Sequence, residues 1–122
     1  MNSEELKKRF KVFALRIIKL SDRLPHNLTG QTIAKQIIRS GTSPGANYRS
    51  ACLGKSDRDF LNKLKIVEEE LDETLYWLEL IIEAGLLKPA LLDDLIKENQ
   101  ELLKIIVSSI KTMKQKMNQG KS

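Results

Sequence analysis

Leu6, Phe10, Phe13, Ala14, Ile17, Ile18, Leu20 and Leu24 recur at three- and four-residue spacings, so one side of a helix from about Ser3 to Leu24 is apolar. Pro25, with no N–H to donate and a ring that clashes with the preceding turn, ends it. After the connection Pro25-His26-Asn27, Thr29 can cap a second helix whose stripe is Ile33, Ala34, Ile37 and Ile38. The stripe then changes character. From Ser40 to Ala46 the residues are small or polar, Gly41 and Gly45 lie on one side of a helix, and Pro44 removes a hydrogen bond at a cost of ~3 kcal/mol. Either the helix runs bent through this point to about Ala51, or two helices meet there at a turn.

Ser56 can cap a third helix, with Asp57 and Asp59 beside its positive end. Phe60, Leu64, Val67, Leu71, Thr74, Leu75, Leu78, Ile81 and Ile82 keep the helical spacing until Gly85, and Tyr76, Trp77 and Leu80 widen the apolar surface beyond one stripe. A surface that wide predicts contacts with more than one partner helix. Pro89 suits the first turn of a fourth helix, whose stripe is Leu92, Leu95, Ile96, Leu102, Leu103, Ile106, Ile110, Met113 and Met117. Asp93 and Asp94 near its start, and Lys111, Lys114 and Lys116 near its end, match the helix dipole. Asn118 to Ser122 are expected to fray.

Four helices, at about 3–24, 28–52, 57–85 and 89–117, with short connections predict an all-α fold: a single-domain, antiparallel up-and-down four-helix bundle with helix two kinked near Ser40-Ala46. A chain of 122 residues with three prolines, six glycines and few aromatics fits this class and shows no strand alternation. The apolar run from Leu75 to Leu92 carries Glu79, Glu83 and Lys88 and is interrupted by Gly85 and Pro89, which argues against a membrane span. With one cysteine, Cys52, and no basic and apolar leader at Met1-Asn2-Ser3-Glu4-Glu5, a cytoplasmic protein is expected.

Charge changes the picture more than composition does. The net charge of +5 conceals an asymmetry: residues 28–55 carry four basic and no acidic groups, whereas residues 56–86 carry three basic and nine acidic ones. Helices of opposite sign can pair with each other, or the basic surplus can attract an acidic partner or nucleic acid. Helix one presents Lys8, Arg9, Arg16, Lys19 and Arg23 along the side away from its apolar stripe. Such a ridge is either a solvated face or a phosphate-contacting one. Arg9, Arg16, Lys19 and Arg23 are the first candidates for nucleic-acid contacts, and Lys111, Lys114 and Lys116 the second.

No catalytic arrangement emerges. Bundle metal centres draw Glu and His from facing helices, but the single histidine, His26, lies in a connection and the carboxylates crowd onto helix three, so no metal or cofactor is expected. Glu70 and Glu73 share a side of that helix with Trp77, and are expected to meet Arg39, Arg49 or Asn47 in buried pairs that fix register. Cys52 has no recognisable base, and Ser40, Thr42, Ser43 and Ser50 have no histidine within reach by sequence. Gly41 and Gly45 lack the Gly-Lys-Ser/Thr sequel of a phosphate loop. An enzyme is disfavoured.

Ser40-Gly41-Thr42-Ser43, Gly45-Ala46-Asn47-Tyr48-Arg49, Ala51, Asp59-Phe60, Lys65-Ile66, Glu70, Glu73-Thr74 and Tyr76-Trp77-Leu78-Glu79-Leu80 together carry a resemblance. From about Phe10 to Ile110 the chain resembles the bacterial four-helix-bundle proteins related to the one encoded in intervening sequences of 23S ribosomal RNA. It departs from that pattern at Pro44, where an aliphatic is usual, and at Ser50, where an acid is usual. The resemblance implies a homopentamer with a central channel. It also implies kinship with the basic accessory protein of diversity-generating retroelements, which works with a reverse transcriptase on nucleic acid. Two functions are therefore expected candidates: a non-catalytic, oligomeric RNA- or DNA-associated protein, or a structural module with a protein partner.

Overall fold

The computed structural model describes residues 1–120, so Lys121 and Ser122, the end of the expected frayed tail, lie outside the described residues. Four helices run α1 (Ser3–Ser21), α2 (Leu28–Cys52), α3 (Asp57–Glu83) and α4 (Asp93–Gln119), with a short 3-10 turn at Pro89–Leu91. Each packs on its neighbour in sequence, and α1 and α4 meet more loosely to close an up-and-down bundle. Most of the stripes read from the sequence meet inside: Phe10, Phe13, Ile17, Ile37, Leu64, Val67, Leu71, Leu78, Ile81, Leu102 and Ile106 are almost completely buried, whereas Ile18 and Ile38, each one position round from a buried isoleucine, are exposed.

The ends differ from expectation for local reasons. Three helices start on a side-chain cap: Asn2 accepts from the Glu5 N–H, Asn27 from Gly30 and Ser56 from Asp59. Asn27 therefore takes the role expected of Thr29, one residue inside. Helix α1 stops at Ser21 rather than Leu24, where the Ser21 hydroxyl donates to the Ile18 carbonyl at 2.7 Å and turn bonds follow from Arg23 to Leu20 and Leu24 to Ser21. Leu24 is still buried. At the end of α3, Leu86 donates to Ile81 and Gly85 to Ile82, with Gly85 at φ 69°, the left-handed residue of a Schellman cap. Pro89 opens the 3-10 turn instead of α4, which begins only at Asp93. Asn118 and Gln119 continue α4 rather than fraying.

The small-residue stretch is one helix, not two, because α2 is continuous through the buried Pro44. Its glycines let α1 approach. A Cβ built on Gly41 would stand 2.8 Å from the Ile17 side chain, and one on Gly45 would stand 3.1 Å from Phe10 Cβ. Either added methyl would push α1 outward.

Candidate nucleic-acid interface

The cations of α1 divide into groups once the bundle is closed. Arg9 is engaged: its Nη2 and Nε donate to the two Glu98 carboxylate oxygens at 2.6 and 3.1 Å, a fork across the α1–α4 seam that holds the guanidinium above its ordinary value. The first candidate set thereby loses a member, because Arg9 is half-buried in a structural ion pair rather than presented outward. Arg16, Lys19 and Arg23 remain together. They line a groove of ≈ 210 Å³ between α1 and the start of α4, with Leu20, Leu91 and Leu95 as its apolar wall. Among the described residues these three make no ion pair. The outward face of α1 is not purely cationic either, since Val12, Leu15 and Ile18 are exposed on it.

The second set does not converge. Lys116 approaches Asp57 at the start of α3 to 3.5 Å, whereas Lys111 lies with Gln100, Leu103, Lys104, Val107 and Ser108 on the outer side of α4. Lys114 is exposed.

Between α2 and α3 the expected polar contacts form with defined partners. Asn47 donates to Glu70 at 3.0 Å and to the Ser43 hydroxyl at 3.1 Å, and Arg39 pairs with Glu73. Trp77 donates its indole N–H to the same Glu73 carboxylate at 3.0 Å. One turn inward, the Thr74 hydroxyl donates to Ser40 at 2.9 Å in a fully buried pair. These contacts tie the two helices in one register. The Arg39–Glu73 pair is half-exposed rather than buried, so it adds little stability by itself. Arg49 takes no part, because it projects toward the start of α1. Tyr48 is buried with its ring 5.4 Å from Phe10, and burial, with Cys52 beside it, pushes its phenol up.

The Trp77 N–H, followed by Arg39, lowers the Glu73 carboxyl below its ordinary 4.5 against the opposing effect of burial. A lowered carboxyl supplies its stabilisation above the unfolded value and loses it as pH falls through the folded one. Fluorescence of Trp77, the single tryptophan, is therefore expected to titrate with a midpoint below 4.5. A Glu73→Gln variant should lack that transition, and a parent midpoint at or above 4.5 would contradict the contact.

The family of the 23S rRNA-intervening sequence protein matches residues 3–108, from the first residue of α1 far into α4. The chain belongs to the 23S rRNA-intervening sequence protein family. It is also similar to a crystal structure from Bacteroides thetaiotaomicron, described as a protein of unknown function from the S23 ribosomal protein family. Sequence identity is 39%, the TM-score is 0.82, and the match covers 87% of this chain and 98% of that one. Among curated proteins no relative matches. Arg16, Lys19, Arg23, Asn47, Glu70 and Trp77 all fall inside the stretch shared with the 23S rRNA-intervening sequence protein family, and Lys111, Lys114 and Lys116 fall outside it. No helix among the described residues is long and apolar enough to cross a membrane, and no cluster of metal-ligand side chains forms there.

Two features escaped sequence reasoning. The apolar pattern of α4 runs through Asn99, which is completely buried with neither side-chain polar atom hydrogen-bonded. Its spacing from Leu95 and Leu102 was the available signal. Arg49 and the lysines of early α1 share a depression, but they are too far apart in sequence for spacing to join them.

Proposed function

We propose that this protein is a non-enzymatic, self-associating RNA-associated protein that grips strand phosphates with Arg16, Lys19 and Arg23. The observation that carries the reading is the α1–α4 groove, where these unpaired cations converge beside Leu20, Leu91 and Leu95. Cations without carboxylate partners are free to release counterions from a phosphate backbone, and the neighbouring leucines offer an apolar surface to bases or ribose. The rRNA link in the family description supports RNA over DNA. Self-association is supported by the exposed Val12, Leu15, Ile18 and Tyr76. A homopentamer, as the resemblance implies, would multiply the cation set around one assembly, and linked sites gain avidity without new contacts. A reverse transcriptase is the protein partner that the same resemblance supports.

The second reading, a structural module for a protein partner, is favoured by the same exposed apolar residues. The two separate experimentally. Changing Arg16, Lys19 and Arg23 together to Gln is expected to weaken retention of single-stranded RNA at least tenfold at moderate salt, while helicity and the mass by light scattering stay at parental values. Unchanged RNA retention would overturn the groove as a phosphate contact and leave the module reading.

A further inference from the structure

We propose a second anion site, at the seam between the start of α1 and the end of α2, that takes a phosphoryl group on Lys7, Lys8, Lys11 and Arg49. These side chains line a depression of ≈ 290 Å³ together with a single acid, Glu4. The site uses none of the groove residues, so it does not depend on the α1–α4 reading.

Three physical observations support it. First, Lys7, Lys8 and Lys11 gather positive charge within two turns of α1, around one depression with Arg49 of the last turn of α2. Lys7 and Lys11 are a like-charge pair four residues apart on one face of the helix, an arrangement that is unfavourable unless an anion lies between them.

Second, the charges act on one point. Lys7 bonds Glu4 at 2.9 Å, and the Glu4 carboxyl is lowered by that bond first, then by the charges of Lys7, Lys8 and Arg49. Fields from two helices therefore meet at the position of a carboxylate oxygen. Among the described residues Lys8, Lys11 and Arg49 have no ion-pair partner of their own, so one carboxylate leaves the cluster with a positive surplus.

Third, the donor set suits a phosphoryl group better than another carboxylate. The Arg49 guanidinium offers a planar fork of N–H donors and the lysines are compact point charges, a combination that matches several anionic oxygens on one centre. Glu4 then acts as an internal occupant. An arriving phosphoryl group takes Lys7 from it, and the Glu4 side chain, which is exposed, turns out to water. The phosphoryl group can come from an RNA strand or from free inorganic phosphate species, and the experiment separates them.

The test titrates the full chain with pyrophosphate and, separately, with a short single-stranded RNA, reading backbone amide resonances. Pyrophosphate is expected to shift amides at residues 4–11 and 49. Glu4→Gln is expected to tighten binding about fivefold, the worth of one exposed charge at close range. Lys8→Gln with Arg49→Gln is expected to weaken it at least tenfold, and Lys11→Gln alone, at an exposed position, provides the same sign should the double variant lose its fold. RNA that displaces pyrophosphate from these amides identifies strand phosphate as the source; pyrophosphate binding that RNA does not displace identifies the free anion. The triple variant Arg16→Gln, Lys19→Gln, Arg23→Gln should keep pyrophosphate at the seam, which separates this site from the groove. The proposal is overturned by an absence of shifts with either probe, by weaker binding in Glu4→Gln, or by pyrophosphate affinity indifferent to Lys8, Lys11 and Arg49.

Discussion

Replacing Gly30 with alanine is expected to destabilise the protein by about 3 kcal/mol or more, the largest loss of any glycine substitution in the chain. Gly30 is buried in the first turn of α2, where a Cβ would stand 1.9 Å from the Pro25 carbonyl oxygen and 2.8 Å from its carbon. Those atoms are backbone, held by a proline ring, and cannot rotate aside. Relief requires the α1–α2 connection to move, which pulls on the buried Leu24 and on the Asn27 cap that accepts the Gly30 N–H at 2.9 Å. Alanine at Gly41 meets the stiff, fully buried Ile17 side chain at 2.8 Å and alanine at Gly45 meets Phe10 Cβ at 3.1 Å, both longer contacts than that at Gly30, so smaller losses are expected in that order. Gly120, whose nearest contact is 3.6 Å, is the neutral control. Urea unfolding of the four variants checks the ranking, and a Gly30→Ala midpoint equal to the parent's would show that the connection is not packed this way.

Asn99→Leu is expected to change stability in the opposite direction, raising it by about 1–3 kcal/mol. A buried amide with neither Oδ1 nor Nδ2 bonded has lost its hydration without compensation, and leucine has nearly the same shape with no polar atoms to desolvate. The neighbouring core positions Leu95 and Leu102 are already apolar. Thermal unfolding of Asn99→Leu beside Asn99→Asp makes the test two-sided, because the aspartate buries a charge and should destabilise increasingly as pH rises above the carboxylate range. A leucine variant less stable than the parent would mean that Asn99 finds partners in the working state. A more stable variant with a mixed oligomer mass would instead assign it to specifying the assembly, as a single core asparagine does in coiled coils.

The parts of this architecture written in local pattern were legible from sequence, and the parts made by distant pairs were not. Stripes such as Leu64, Val67, Leu71 and Leu78 follow from helical spacing alone, so four helices and a shared core could be expected. Glu70 and Glu73 could be matched with Asn47 and Arg39 because charge sorted the third helix from the second. Helix ends were less legible, because Leu24 keeps its buried place after α1 has ended and Pro89 fits a 3-10 turn as well as a helix start. Arg9 looked like its neighbours on the cationic ridge, yet its partner Glu98 stands 89 positions away, and only the closed bundle reveals the pair. Lys8 and Arg49 are separated in the same manner. Asn99 was hidden for a different reason, since residue type suggested surface while spacing pointed to the core.

The proposal that Arg16, Lys19 and Arg23 hold strand phosphates is tested most directly by the salt dependence of RNA affinity. For single strands each phosphate contact contributes about 0.7 to the slope of log affinity against log salt, so loss of three cations should flatten the slope by about 2. The measurement compares the parent with the triple variant Arg16→Gln, Lys19→Gln, Arg23→Gln, across salt concentrations at which both remain folded. A slope shallower by about 2 in the variant is the predicted result, and equal slopes in the two proteins would contradict it.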